Sequence, residues 1–287
     1  MRYITYNDIS ATLRRGLYRL PKLSLVVGVP RSGMIPAIML SELLNIPCAT
    51  LDDFVSGRTM SCGGRGGLMR EQHGGSVLII DDTVYCGTSM NEVREKTKHL
   101  DVQHNIIYGC VYAEGKDAKK KVDFYFEDIY NPMERFNLYE WNILHHYSVV
   151  TEASMWDIDG VLCQNPPDDR NVVAYERYLP NAIPMIIPTT LVGAFVTYRL
   201  EKYRDVTEQW MRVQGINYRQ LIMFDAPNSD ARNSKCSPET YKAQAYAAAG
   251  WAELFVESDL VQAERIHRLA KKPVYCFENG RMYFGCG

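Results

Sequence analysis

A chain of 287 residues, 46% hydrophobic and 23% charged, has the make-up of globular protein and room for two ordinary domains. A formal net charge of −2 without any long basic block argues against electrostatic binding of long nucleic acid. The stretch MRYITYNDIS lacks a signal peptide's apolar core, no apolar run approaches the ~18 residues of a membrane span, and none of the eight cysteines forms a C-x-x-C pair, so the expected setting is cytoplasmic, with reduced thiols.

In chain order, residues 23–29 (LSLVVGV) predict a buried strand, followed by the turn PRSG. MIPAIMLSELLN has helical spacing and ends before Pro47. A weak strand near Cys48–Asp53 precedes a glycine-rich loop, Ser56 to Gly75. SVLIID predicts a strand, MNEVREKTKHL an amphipathic helix and NIIYGCVY a further strand. Between 131 and 148 the periodicity breaks, which places the boundary near 130–150: a first domain over 1–130, a junction over 131–150 and a second domain over 151–287. The second alternation runs through ASMWDIDGVL, VGAFVTYR, VTEQWMRVQG, RQLIMFD, PETYKAQAYAAAG, AELFVES, LVQAERIHRLA and KPVYCF. Both halves therefore predict α/β domains, each with a parallel sheet covered by helices, and their motifs differ too much for an internal repeat.

The segment SVLIIDDTVYCGTSM ends a strand in Asp81 and Asp82. Ligands of open parallel sheets bind beyond the carboxyl ends of the strands. Paired carboxylates there suit two adjacent sugar hydroxyls. The turn Val84, Tyr85, Cys86, Gly87, Thr88 and Ser89 opens a helix, whose first amides attract an anion. Together they read as a grip for ribose 5-phosphate. GVPRSGM offers a second anion site through Arg31, Ser32 and Gly33. The glycine-rich loop, with Arg58, Arg65 and Arg70, has the composition of a mobile lid.

These motifs, VLIIDDTVYCGTS, LVVGVPRSGMIPA and the glycine-rich loop between them, resemble the type I phosphoribosyltransferases over roughly residues 1–130. The resemblance implies binding of 5-phosphoribosyl-1-pyrophosphate (PRPP) with Mg²⁺ and ribosyl transfer to a nucleobase-like acceptor, or the reverse. It puts Asp81 and Asp82 on the ribose hydroxyls, Val84 to Ser89 around the 5′-phosphate, and Arg31 to Gly33 at the pyrophosphate. Asp82 is also a candidate to assist a base proton. One departure is Cys86-Gly87, where the family usually has Thr-Gly.

In ASMWDIDGVLC, Asp157 and Asp159 lie two apart on an extended chain and face the same way. One aspartate can attack phosphorus while the second serves as acid and base, and both carry oxygen ligands for Mg²⁺. Thr197 and Lys242 are phosphate-binding candidates, and Asp259 is a metal-ligand candidate. This set resembles the haloacid dehalogenase-like phosphohydrolases over roughly residues 150–287. The resemblance makes Asp157 the nucleophile and Asp159 the acid/base, in a Rossmann-like fold with a small cap or none. Departures are Ser258-Asp259 in place of Gly-Asp, and Lys235 as a competitor of Lys242.

The joint expectation is a bifunctional enzyme of nucleotide metabolism, whose phosphatase half acts on a phosphorylated small molecule. Expected partners are PRPP and a base, with a second copy of the chain as a candidate and neither membrane nor long nucleic acid. The alternative is a PRPP-sensing, non-catalytic first domain with only the phosphatase active. His145-His146, Tyr112, Phe124, Tyr125, Phe126 and Trp141 are read as packing residues, and Lys119–Lys121 as a solvated turn.

Overall fold

The computed structural model describes residues 1–60, 74–134, 136–145 and 148–285. The chain divides into two compact units, Met1–Trp141 and Asn142–Gly287. Each is a parallel-sheet α/β domain.

In the first unit, strand β1 (Arg2–Ile4) precedes helix α1 (Tyr6–Gly16). A capping box starts this helix: the Thr5 hydroxyl accepts from the Asp8 amide, and the Asp8 carboxylate accepts from the Thr5 amide. There follow β2 (Leu23–Gly28), α2 (Met34–Leu44), β3 (Cys48–Thr50), α3 (Leu51–Val55), β4 (Ser76–Val84), α4 (Thr88–Thr97), β5 (Ile106–Ala113), β6 (Phe124–Asp128) and β7 (Asn137–Tyr139). The main sheet has the order β3-β2-β4-β5-β6, every pair parallel. The central strands β2, β4 and β5 read as largely apolar runs because both faces are covered. Leu78 and Ile80 face the core shared with Ile9 and Leu13 of α1 and Leu40 of α2. Val77 and Ile79 face Phe54 of α3 and Val93 of α4.

The second unit runs α5 (Ser148–Glu152), β8 (Ser154–Trp156), α6 (Val172–Tyr178), β9 (Val192–Leu200), α7 (Arg204–Val213), β10 (Tyr218–Phe224), α8 (Ser229–Lys235), α9 (Pro238–Ala248), β11 (Leu254–Glu257), α10 (Leu260–Ala270), β12 (Val274–Cys276) and β13 (Arg281–Tyr283). Its sheet has the order β10-β9-β8-β11-β12-β13, parallel except for the last pair. Ala243 and Tyr246 of α9 and Ala263 and Ile266 of α10 close one face. Between β8 and β9 the chain forms α6 and a 3₁₀ turn.

Strand order locates the sites. In the first sheet the succession reverses between β2 and β4, and in the second between β8 and β11. A crevice opens at such a reversal, at the carboxyl ends of the two strands. Residues 30–33 follow β2, and Asp81 and Asp82 lie near the end of β4. Asp157 follows β8, and Glu257 ends β11.

Residues 131–141 lie in the first unit, although the sequence reading ends the first domain at 130. Strand β7 pairs in parallel with β1, and Tyr139 packs in the same core as Ile4 and Tyr112. A fragment of residues 1–141 is therefore expected to melt in one cooperative transition. One of residues 1–130 should expose that core, bind a hydrophobic dye and melt broadly. Calorimetry and dye fluorescence on the two fragments check this.

Candidate active sites

At the first crevice, Gly33 makes the close approach. A Cβ added there would stand 2.6 Å from the Val29 carbonyl, 2.7 Å from the Ile80 carbonyl and 3.0 Å from Asp81 Cα. The residues after β2 therefore pack against the end of β4, backbone to backbone. Arg31 is exposed and Ser32 half-buried beside it. On the other side, Val84 is buried while Tyr85, Cys86, Thr88 and Ser89 are exposed. Gly87 has a φ of 82°, which favours glycine, and helix α4 begins at the next residue without a side-chain cap. The amides of its first turn lack intrahelical acceptors. The Cys86 Sγ lies 3.2 Å from the Thr88 hydroxyl.

The two aspartates of β4 have different surroundings, as adjacent residues of a strand do. Asp81 is half-buried, and its Oδ1 accepts from the Asp82 amide at 2.9 Å. Burial, and then the neighbouring Asp82 charge, push its carboxyl well above the usual range. Asp82 is 4% exposed, and its Oδ2 accepts from the indole N–H of Trp141 at 2.7 Å. The sequence reading puts both carboxylates on one diol; here one oxygen of the second is already held by a tryptophan. Trp141 was read as a packing residue. It does pack, 5.2 Å from the Tyr139 ring and 5.7 Å from that of Tyr6, but it also supplies this donor. Of the lid arginines, Arg58 pairs with Asp53 at 3.1 Å, whereas Arg65 and Arg70 lie outside the described residues, as do Gly63, Gly64, Gly66 and Gly67.

The second crevice opens on a cavity of about 700 Å³ lined by Asp157, Asp159, Lys242, Asp259, Tyr198 and Gln262 among others. Asp157 is 4% exposed and Lys242 3%. The Lys242 ammonium donates to Asp157 Oδ2 at 2.7 Å, Glu257 Oε2 at 2.7 Å and Gln262 Oε1 at 3.0 Å. Its three donors are thereby used. Lys235, the competitor, donates instead to the Asp225 carbonyl. Burial pushes the Asp157 carboxyl up to about 8, against the pull of Lys242 and with the push of Glu257 and Asp159.

Asp159 meets Arg199, which is 1% exposed. The guanidinium spans both carboxylate oxygens, Nη2 to Oδ1 at 2.6 Å and Nε to Oδ2 at 3.0 Å. The sequence reading missed Arg199, whose partner is forty residues away. Thr197, expected on phosphate, is fully buried, and its hydroxyl accepts from the Arg199 amide at 3.2 Å. The next residue of β9, Tyr198, lines the cavity in its place.

The aspartates expected around Mg²⁺ do not form a ready cation site. Lys242 holds Asp157 Oδ2, Arg199 holds both oxygens of Asp159, and Asp259 Oδ1 caps α10 through the Gln262 amide at 2.7 Å. The Asp159 carbonyl accepts from the Ser258 hydroxyl. Among the described residues no group of three or more His, Cys, Asp or Glu is arranged to hold a metal ion. Nor is any helix among them long and apolar enough to cross a membrane.

Two outcomes follow from the Asp81–Asp82–Trp141 arrangement. Trp141→Phe keeps the ring contacts but leaves a buried carboxylate oxygen unpaired, which should cost about 1–3 kcal/mol. Thermal unfolding should show this as a fall of roughly 2–4 °C per kcal/mol. Asp81→Asn should act in the other direction. Because the carboxyl is raised in the folded state, its contribution is complete below the unfolded-state value and is lost as pH rises through the folded one. The amide carries no such loss, and the variant should melt higher than the parent at neutral pH and alike at acid pH.

No family model matches this chain, and no curated protein matches it. Among solved structures, the chain is similar to the Helicobacter pylori xanthine-guanine-hypoxanthine phosphoribosyltransferase, at 16% identity and a TM-score of 0.33, over 50% of this chain and 93% of that one. It is similar to a purine phosphoribosyltransferase from Pyrococcus horikoshii, at 20% identity and a TM-score of 0.31, over 49% and 94%. A chain of a Pnkp1/Rnl/Hen1 complex is similar over 91% of this chain and 97% of its own, at 16% identity and a TM-score of 0.35. At these identities and TM-scores the likenesses assign no family, and the reading of the two sites rests on their own geometry.

Proposed function

We propose that the first unit transfers a 5-phosphoribosyl group between pyrophosphate and a nitrogenous base. The observation that carries this is the close approach of Gly33 to Asp81 at the reversal of strand order, which sets two anion-binding loops on either side of one carboxylate. In this reading the amides at the start of α4 take the 5′-phosphate, residues 31–33 take the pyrophosphate, and Asp81 accepts from a ribose hydroxyl. Asp82 serves through its fixed position beside Trp141 and is the candidate to receive the base proton. The bond from C1 to the pyrophosphate oxygen breaks, its electron pair leaves with pyrophosphate, and the base nitrogen supplies the pair for the new bond. Arg31 offsets charge gathering on the leaving group. Mg²⁺ would arrive with the pyrophosphate and neutralise part of its charge.

The second unit, in the same proposal, is a phosphomonoesterase. Asp157 attacks phosphorus and forms an acyl phosphate while the alcohol leaves with a proton from Asp159. Water then attacks, Asp159 takes its proton, and phosphate is released. Lys242 sits 2.7 Å from the attacking carboxylate and offsets the phosphoryl charge. Arg199 has to yield one oxygen of Asp159 for the proton transfer. The fusion suggests that the two units act on related metabolites, one making or degrading a nucleotide and the other removing a phosphate.

The test supplies PRPP, Mg²⁺ and a panel of bases, and follows nucleotide, pyrophosphate and free phosphate by mass and colorimetry. Asp81→Asn combined with Asp82→Asn should remove pyrophosphate release. Asp157→Asn should lower phosphate release by more than about 10³-fold and leave pyrophosphate release intact. Nucleophilic attack requires the ionised carboxylate, so the ascending limb of the phosphatase kcat/KM profile should rise through an apparent pKa of about 8. Failure of every base in the panel to release pyrophosphate, or phosphate release untouched in Asp157→Asn, defeats the corresponding half.

A further inference from the structure

The turn between β4 and α4 borders a second hollow. Tyr85 and Cys86 form one wall of a cavity of about 540 Å³, and Gly115, Lys116, Asp117, Lys120 and Lys121 form the rest. Two of its lysines differ from their neighbours in the same basic run. Lys119 is paired with Asp128 at 2.6 Å and Lys120 with Asp117 at 2.8 Å. Lys116 and Lys121 are exposed and, among the described residues, form no ion pair of their own, although both feel the charge of Asp117. The turn is also held close to them. A Cβ on Gly115 would fall 1.9 Å from the Tyr85 carbonyl, and one on Gly87 would fall 2.7 Å from the Lys121 side chain. The stem of Lys121 therefore lies across the glycine at the head of α4. Lys120 and Lys121 of the run that reads as a solvated turn are exposed as expected, and they also form part of the wall beside residues 85 and 86.

Three lysines face one aspartate around this hollow, and that aspartate is already matched by Lys120. Two positive charges remain uncompensated within a space large enough for several phosphate groups. Lysine ammonium groups suit phosphate oxygens as point charges without fixed geometry.

We propose that this cavity receives further phosphates attached to the one held by the Tyr85–Ser89 turn, so that the unit accepts ligands carrying a linear di- or triphosphate at that end. The proposal deepens the reading of the turn as a phosphate cradle and rests on it. The cradle holds the first phosphate through amides. Lys116 and Lys121 take the charge of the next ones, and a monophosphate leaves them unused.

The test titrates the full chain by calorimetry with inorganic phosphate, pyrophosphate and tripolyphosphate, and separately with ribose 5-phosphate. Two double variants are compared. Lys116→Gln with Lys121→Gln keeps both stems and removes both charges. Lys96→Gln with Lys98→Gln removes two exposed charges elsewhere in the first unit. The parent should bind tripolyphosphate at least about tenfold more tightly than phosphate, equivalent to about 1.4 kcal/mol. The first double variant should lose that preference and keep its affinity for ribose 5-phosphate, and the second should keep both. An undiminished preference in the first variant, or an equal loss in the second, overturns the proposal. Ribose 5-phosphate binding that fails in the parent, alongside a lysine-dependent preference, would instead sink the cradle reading and leave the lysine cavity standing.

Discussion

A carboxylate taken out of water has to be met by a partner, and both units of this chain are arranged around that requirement. Asp82, Asp157 and Glu257 are each less than a tenth exposed and stand where parallel strands finish. Removing one partner of a buried ion pair, such as that of Lys242 with Asp157 and Glu257, is strongly destabilising, of order 3–5 kcal/mol. Lys242 meets two of these carboxylates at once, and it reaches them from α9, which packs on one face of the sheet with Lys242 and Ala243 both buried. The indole of Trp141 meets the third, and it stands there because β7 ties residues 137–139 to β1. Short peripheral strands thus carry a duty at the centre of the sheet.

The two units solve the requirement differently. In the second, lysine and arginine cations bond directly to Asp157 and Asp159, and the acidic groups are matched before anything binds. In the first, the matching is incomplete. Asp81 has a backbone amide on one oxygen and a like charge next door, and burial with that charge raises its carboxyl well above the usual range. A hydroxyl donor from a ligand would favour the anion there.

The strands at both crevices are legible because a parallel strand buried on two faces is written as a continuous apolar run, as in SVLIID and AFV. Asp81, Asp157 and the glycine turn are legible because sheet ends collect ligands. What escapes has a common physical reason. Strands β1 and β7 have three residues each and carry no period to detect. Helix α1 goes unread although Thr5 and Asp8 spell its capping box. Arg199 looks like a charge at the end of an apolar strand, and its partner is fixed only by the pairing of β8 with β9. Thr197 has the right chemistry for phosphate, yet it is fully buried and its hydroxyl accepts from its own strand's backbone. Lys121 is solvated as the sequence reads it, but the cover its stem gives Gly87 goes unseen because that glycine lies far back in the chain.

Of the four tryptophans, Trp141 is the one that falls within the first unit. Its ring is bonded at one edge to Asp82 and flanked by Tyr6 and Tyr139. Indole emission changes colour with the polarity around it. A protein fragment ending at this residue would therefore carry a single built-in lamp wired to the acid at the sheet's rim, and filling of the crevice would be readable as a spectral shift without any added dye.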